Sequence, residues 1–326
     1  MKRREFLMQG SGVVMALAFD ADSRAGETNT GTNSMSSPFR LSVITDELTQ
    51  DFDRACSIAA KDFGLKWVEI RELWKKNSMA LDTNQIAEAR RILDRYGLQV
   101  TDIASPLFKV DWKGAPRSKF SPTGDQFNAN YTFEQQGEVL ERSIALAKAW
   151  GTERIRCFDY WRLENQAPYR EAMNAKLREA AEAVGKQGLL LVLENEPSCN
   201  TATGTESAKV LAAVPSPHFM LNWDPGNAAA SGEKAYPNGY SLLPKNRIGH
   251  CHCKDTVRKP DGTYGWAPVG KGKIDWVGQF EALKKDGYHY AVSLETHWRG
   301  AGTPEASSRI SMAGMKDCLR KAGALA

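Results

Sequence analysis

The sequence lacks a long apolar run, a glycine-rich nucleotide-binding turn and an excess of one charge. The apolar stretch Val13–Phe19 is far shorter than the roughly 20 residues of a membrane-spanning helix. The net charge of +4 is too small and too evenly spread for a nucleic-acid-binding protein. With 42% hydrophobic and 25% charged residues, the chain has the composition of a globular protein with a full core. We therefore expect no nucleic-acid partner and no stable membrane insertion.

Six cysteines are present, but their spacing does not indicate a disulfide scaffold. Most lie within predicted strands or helices, where small thiols are commonly buried. Cys251-His252-Cys253 has some likeness to a zinc site. Strand alternation places His250, His252 and Lys254 on one face and the two cysteines on the other. We therefore expect the cysteines to pack under the helices.

The N-terminus has the pattern of an export signal. A charged start is followed by a short apolar segment and then by small residues. The order Arg3-Arg4-Glu5-Phe6-Leu7 is typical of twin-arginine signals, although an ordinary signal with two chance arginines is the alternative. We assign residues 1–25 to the signal, 26–38 to a flexible leader and 39–326 to a single (β/α)8 barrel domain. The expected location is the periplasm or another exported compartment.

The export prediction can be tested by changing the arginine pair alone. Replacing Arg3 and Arg4 by lysine keeps the charge but removes the twin-arginine pattern. The precursor of this variant is then expected to accumulate in the cytoplasm, as measured by cell fractionation. Unchanged export of the Lys-Lys variant would contradict the twin-arginine assignment.

Eight short apolar segments alternate with amphipathic stretches, which predicts an α/β fold of the (β/α)8 TIM-barrel type. The first two predicted strands are 41–47 and 67–73, and a helix is predicted over 83–96 with Asp82 as its N-cap and Gly97 as its C-cap. An open doubly wound sheet is the alternative. It is disfavoured because no Gly-x-Gly-x-x-Gly turn follows the first strand. The long connection 106–132 between the third strand and its helix is unusual unless it covers a site.

Four consecutive predicted strands, the fifth to the eighth, each end in a residue that can bind a metal. These residues are Glu194, Asp224, His252 and Glu295. The C-terminal ends of parallel strands meet on one face of a barrel, so the four side chains can converge. Three carboxylates and one imidazole suit one divalent ion: Mn²⁺, Mg²⁺, Co²⁺, Fe²⁺ or Zn²⁺.

Each of these residues also has a simpler interpretation. Glu194 could form a structural ion pair, with Arg156 as its partner. Asp224 precedes Pro225-Gly226, which is strong turn chemistry. His252 alone could be a hydrogen-bonded core histidine, and Glu295 could pair as Glu194 does. Their occurrence at four successive strand ends favours the metal site.

From about Leu41 to Ala322, the chain resembles the sugar phosphate isomerase and epimerase barrels of the xylose isomerase-like TIM-barrel superfamily. The motifs that carry the resemblance are Ile44-Thr45-Asp46-Glu47-Leu48, Val68-Glu69-Ile70-Arg71, Leu193-Glu194-Asn195, Asp224-Pro225-Gly226-Asn227, His252-Cys253-Lys254-Asp255, Gly270-Lys271-Gly272-Lys273-Ile274-Asp275-Trp276 and Leu294-Glu295.

The resemblance implies that the four strand-end residues hold one divalent ion and that Glu194 and Glu295 form a proton-transfer pair. Asn227 stands where such epimerases often carry histidine, which weakens any assignment to ordinary ketohexose epimerisation. DNA-repair endonucleases share the fold but require many histidines for three metals. This chain has only five.

The expected reaction is removal of a proton from the carbon next to a carbonyl, with the ion stabilising the charge that develops on oxygen. A non-phosphorylated sugar or related polyol is the expected substrate of an isomerase or epimerase. A dehydratase or lyase acting on a keto-sugar, oxidised glycoside or keto-cyclitol is the first alternative, and an exported non-catalytic sugar-binding protein is the second. The predicted substrate contacts are Asn227, His250, Lys254, Arg258 and Arg156. A homo-oligomer remains open.

Overall fold

A computed structural model describes residues 36–124 and 126–326, so the predicted signal and most of the leader lie outside the described residues. Eight parallel strands form one sheet. They are β1 Arg40–Val43, β2 Trp67–Ile70, β3 Gln99–Leu107, β4 Arg154–Cys157, β5 Leu190–Glu194, β6 Phe219–Trp223, β7 Ile248–Cys253 and β8 Ala291–Leu294. Their order in the sheet is β1-β8-β7-β6-β5-β4-β3-β2. A parallel bridge between Ile44 and Glu69 joins the segment after β1 to β2. The predicted (β/α)8 barrel is therefore confirmed.

Helices follow the strands around the outside. They are α1 Phe52–Ser57, α2 Thr83–Tyr96, α3 Gln136–Trp150, α4 Arg170–Gly185, α5 Gly204–Ala213, α6 Pro225–Ala230, α7 Tyr240–Leu242, α8 Trp276–Lys285 and α9 Pro304–Lys321. Short 3₁₀ turns span Thr45–Glu47, Ser78–Ala80 and Lys245–Arg247, and π turns span Ile58–Asp62 and Ala235–Gly239. Within residues 36–124 and 126–326, none of these helices has the length and apolarity that a bilayer span requires.

The ends of α2 show how local sequence sets the helix bounds. The Asp82 side chain accepts a hydrogen bond from the Gln85 backbone N–H, and the Gln85 side-chain oxygen accepts one from the Asp82 backbone N–H. At the other end, Gly97 adopts φ 62°, a left-handed conformation that suits glycine. Both ends lie where the sequence predicts them.

Two strands are shorter than the sequence predicts. The predicted strand 41–47 ends at Val43, because Thr45–Glu47 turns into a 3₁₀ helix. The predicted strand 67–73 ends at Ile70, and Glu72–Leu73 instead pairs antiparallel with Lys76–Asn77. Both departures occur at the rim of the barrel, where polar side chains turn towards its C-terminal face.

The barrel interior is polar towards the C-terminal face. Glu69, Asp102, Asn222, His250 and His252 are all completely buried. In contrast, all six cysteines are buried free thiols, and Cys251 and Cys253 belong to the hydrophobic core. The alternation along β7 therefore separates the imidazoles from the thiols, as the sequence predicts.

Candidate active site

The four predicted metal ligands meet at the C-terminal face of the barrel. One ligand atom from each of Glu194, Asp224, His252 and Glu295 lies within 4.8 Å of the other three, and all four residues are buried. The Nδ1 atom of His252 lies 3.3 Å from Glu194 Oε1, 3.2 Å from Glu295 Oε2 and 3.6 Å from Asp224 Oδ2. The imidazole therefore directs one nitrogen at all three carboxylates.

A fourth acidic residue, Glu69 on β2, fixes the orientation of that imidazole. Glu69 Oε1 lies 3.0 Å from His252 Nε2, and Glu69 Oε2 lies 3.0 Å from His250 Nε2. With Nε2 bonded to Glu69, Nδ1 is the nitrogen left for the carboxylate cluster. A carboxylate behind a histidine commonly sets its tautomer and raises its basicity as a ligand.

Positive side chains surround the carboxylates. Arg156 Nη1 donates to Glu194 Oε2 at 3.0 Å, and Arg71 Nη1 donates to Glu295 Oε1 at 2.9 Å. The Lys254 ammonium lies 2.8 Å from Asp224 Oδ2 and 2.5 Å from Glu295 Oε2. These contacts offset the cost of burying three acidic groups so close together.

Nearby positive charges, that of His252 included, keep the two glutamates ionised. Burial alone would raise the pKa of Glu194, but the charges of His252 and Arg156 lower it to about 2. Burial likewise raises the pKa of Glu295, yet Lys254 and His252 hold it well below its ordinary value. Both carboxyls are therefore anionic at neutral pH, the form needed in a metal ligand or a base.

The donor set fits a divalent ion. Three carboxylates and one imidazole nitrogen are a suitable set for the ions named above. Asp224 Oδ2 is buried and accepts no well-directed hydrogen bond, although the Lys254 ammonium is near. An ion at this point and the ammonium would compete for Asp224 and Glu295, so Lys254 would have to turn aside when the ion binds.

The predicted substrate contacts fall into two groups. Lys254 lies among the carboxylates, and Asn227 Nδ2 donates to Glu194 Oε1 at 3.1 Å. Arg156 lines the cavity above the carboxylates, but it also donates to Glu194, as in the simpler interpretation of that residue. His250 lies deeper, where its Nε2 contacts Glu69.

The structure does not bring Arg258 to this site, which corrects its predicted placement. Residues Asp255–Arg258 pair with Tyr264–Ala267 in a two-stranded hairpin after β7. The hairpin carries Arg258 to an exposed position lining a different cavity, with Tyr236 and Tyr264. Spacing along the chain alone could not reveal this turn.

Sequence reasoning assigned no role to Glu69 and Arg71. Both belong to Val68-Glu69-Ile70-Arg71, a buried segment formed by the end of β2 and the residue after it, in which charged residues alternate with apolar ones. A buried charge within a strand was the signal that could have identified them, because such a charge requires a partner.

The cavity above the carboxylates is small and covered. Its volume of about 30 Å³ holds one or two water molecules. The loop between β3 and α3 supplies Gln126, Phe127 and Ala129 to its lining. Asn77 Nδ2 donates to the Phe127 carbonyl at 3.0 Å, and the Arg71 guanidinium lies 4.0 Å from the Phe127 ring centre. A ligand larger than one or two water molecules would therefore require this part of the loop to shift.

Residues 58–318 match the family described as Xylose isomerase-like TIM barrel. The chain is 25% identical over 176 residues to SgbU of Escherichia coli (strain K12), a protein named as a candidate L-ribulose-5-phosphate 3-epimerase. That match spans 52% of this chain and 61% of the relative.

Two solved structures share the fold. AsbF of Bacillus anthracis, described as a candidate 3-DHS dehydratase of petrobactin synthesis, matches with a TM-score of 0.64 and 19% identity over 85% of this chain and 97% of its own. The IolI protein, solved with a bound zinc atom, matches with a TM-score of 0.67 and 15% identity over 86% and 98%.

Removing Glu69 tests its effect on His252. Glu69→Leu leaves both histidines without their acceptor and is expected to weaken Mn²⁺ binding by about 10- to 100-fold, as is common for such outer partners. Glu69→Gln keeps one acceptor oxygen and should lose less. Calorimetric titration with Mn²⁺ measures both variants, and equal affinity in Glu69→Leu and the unchanged protein would rule out the orienting role.

Proposed function

Because the chain belongs to the xylose isomerase-like TIM barrel family, we propose that it is a metal-dependent isomerase or epimerase of a non-phosphorylated sugar or related polyol. The observation that carries the proposal is the convergence of Glu194, Asp224, His252 and Glu295 within 4.8 Å at the C-terminal end of the barrel. In this fold that end is where catalytic groups lie. Export through the Arg3-Arg4 signal is part of the same proposal.

The two glutamates are the proposed proton-transfer pair. Glu194 ends β5 and Glu295 follows β8, so they approach the centre from different parts of the barrel rim. Each is ionised and fixed by an arginine, which restricts its orientation without occupying both oxygens. One carboxylate removes the proton next to the carbonyl, and the other returns it to the product.

Lys254 is the proposed contact for a substrate oxygen. Its ammonium lies 2.8 Å from Asp224 Oδ2 and 2.5 Å from Glu295 Oε2. An ion held by these two carboxylates would displace the ammonium, which would then be free to donate to a hydroxyl or carbonyl oxygen of the substrate.

Glu194, Asp224, His252 and Glu295 would hold the divalent ion. When bound, the ion supplies electrostatic stabilisation of negative charge that develops on substrate oxygens. Asn227 supports this set from behind, because its side chain donates to Glu194 and its backbone N–H donates to Asp224 Oδ1 at 2.8 Å.

The charges around the cavity favour a substrate without phosphate. Among the described residues that line it, each lysine or arginine already has a carboxylate partner. Arg71 contacts Asp46, Glu47 and Glu295. Arg156 contacts Glu194, and Lys109 contacts Glu196. A phosphate would have to displace one of these carboxylates, whereas sugar hydroxyls can bond to both members of each pair.

A dehydratase or lyase is the second candidate. The same proton removal can be followed by loss of a hydroxyl group, provided a proton donor lies near the base. Lys254 is the proposed donor, because an ion between Asp224 and Glu295 would free its ammonium, which lies 2.5 Å from Glu295 Oε2, to donate to the leaving hydroxyl group.

Product analysis separates the two candidates. The purified protein, loaded with Mn²⁺, is incubated with a panel of free ketoses, aldoses and keto-cyclitols, and the products are identified by NMR. We expect an isomer of equal mass from at least one compound. A product lighter by one water would favour the dehydratase, and no product from any compound that binds would favour a sugar-binding protein.

A further inference from the structure

A second, larger cavity lies beside the covered one. Its volume is about 420 Å³, within the roughly 300–1,000 Å³ of small-molecule sites. The two cavities share Lys109, Gln126 and Ala129 in their linings. The larger cavity is thus a continuation of the candidate active site along the loop between β3 and α3. We call it the outer groove.

Aromatic side chains line the outer groove and are held in place from behind. The Trp112 ring lies edge-on to the rings of Phe133 and Tyr160, with an interplanar angle of 87° in both cases. The ring centres are 5.4 Å apart for Phe133 and 4.7 Å apart for Tyr160. Trp112 and Phe133 are half-buried, and Tyr160 is buried behind them. An indole fixed on two sides loses little conformational freedom when a ligand packs on it.

Polar groups form the rim of the same groove. Asp111, Lys113, Thr132 and Glu134 are exposed, and Lys113 Nζ lies 2.6 Å from Glu134 Oε1. Aromatic rings below with donors and acceptors around them match a pyranose, which presents apolar C–H faces and a ring of hydroxyl groups. A purely apolar ligand would form no hydrogen bonds with the donors and acceptors of the rim.

Lys109 lies where the two cavities join. Its ammonium is 3.4 Å from Glu196 Oε2, 4.4 Å from the Phe158 ring centre and 5.5 Å from that of Trp161. A ligand that extends from the carboxylates into the outer groove passes this ammonium. The oxygen of a bond between two sugars is an acceptor suited to that position.

We propose that the outer groove binds a second sugar ring, joined by a glycosidic bond to the sugar that reacts. The inference rests on the proposed function and specifies its substrate class as glycosides, with disaccharides as the simplest members. The reacting sugar lies at Glu194 and Glu295, and the second ring packs on Trp112. No chemical step occurs in the outer groove.

Three ketose disaccharides, turanose, palatinose and lactulose, test the proposal against fructose as the matched single sugar. Calorimetry on the Mn²⁺-loaded protein measures affinity, and deuterium uptake from D₂O measures proton removal. At least one disaccharide should bind about tenfold more tightly than fructose. Trp112→Ala should reduce that preference by about tenfold, the size expected from losing one aromatic contact.

Two further substitutions of Trp112 and one control variant test whether its aromatic face causes the preference for disaccharides. Trp112→Leu keeps apolar volume without the aromatic face and should lose the preference in a background that folds, while Trp112→Phe should retain part of it. Tyr264→Ala removes an exposed aromatic ring from another cavity and should change nothing.

Affinity and deuterium exchange together distinguish binding in the outer groove from the proposed reaction. Equal affinity for fructose and all three disaccharides, or a preference that survives both Trp112→Ala and Trp112→Leu, overturns the second-ring site even if fructose exchanges deuterium. Trp112-dependent binding of a disaccharide without exchange in any sugar supports the site and contradicts the proposed reaction.

Discussion

Glu295→Gln is expected to lower kcat by roughly 10²–10⁴-fold, the range for loss of a general base. The amide keeps the shape of the side chain, and its oxygen can still face the ion, but it cannot accept a proton at neutral pH. Arg71 and Lys254 would each lose an anionic partner, since both contact Glu295. Glu194→Gln should cause a loss in the same range, because Glu194 is the other member of the pair.

The measurement combines steady-state kinetics with metal content for each variant. Glu206→Gln is the matched control, because Glu206 pairs with Arg162 and caps α5 outside the carboxylate cluster. It should turn over at close to the unchanged rate. Glutamine variants that keep the ion and work at nearly full rate would make both glutamates ligands only. The base would then be sought at Lys254 or His250.

Chelation is expected to remove most activity, and readdition of Mn²⁺ should restore it. The purified protein should contain about one divalent ion per chain by elemental analysis. His252→Ala removes the only nitrogen of the proposed ligand set and should weaken Mn²⁺ binding, as well as leaving Glu69 with one histidine fewer.

His289→Ala serves as the control for the histidine variant, because His289 is exposed and lies outside the cluster. Its Mn²⁺ affinity should match that of the unchanged protein. Active protein without any metal would refute the proposed ion, whatever the kinetics of the variants.

The barrel and the four proposed metal ligands could be predicted from the alternation of strands and helices and from the residues at the strand ends. The (β/α)8 barrel followed from alternation of apolar and amphipathic segments, and it was confirmed. Glu194, Asp224, His252 and Glu295 could be placed together because each lies at the last residue of its strand or one position from it. The C-terminal ends of parallel strands lie on one face of a barrel, which brings the residues at these ends together.

Residues whose position depends on long-range contacts could not be placed in the same way. Arg71 reaches Glu295 across 224 positions of sequence, and His250 reaches Glu69 across 181. Neither pairing has a local pattern, because it depends on which strands become neighbours when the barrel closes. Arg258 shows the converse, since a local hairpin after β7 took it away from the site.

The loop between β3 and α3 was predicted only as a cover. Its length indicated that it lies over a site. The sequence did not show that Phe127 would pack beneath the Arg71 guanidinium or that Trp112 would stand edge-on to Tyr160. Irregular backbone has no period from which side-chain directions can be inferred.

Deuterium uptake at the carbon next to the substrate carbonyl tests the central claim most directly. The Mn²⁺-loaded protein is incubated in D₂O with the sugar that gives a product, and NMR follows the label at that carbon. The proposed proton transfer predicts deuterium in the product, with uptake abolished by chelation and reduced by roughly 10²–10⁴-fold in Glu295→Gln. Isomer formation with no deuterium at that carbon in product or recovered substrate would indicate a hydride shift and contradict the account.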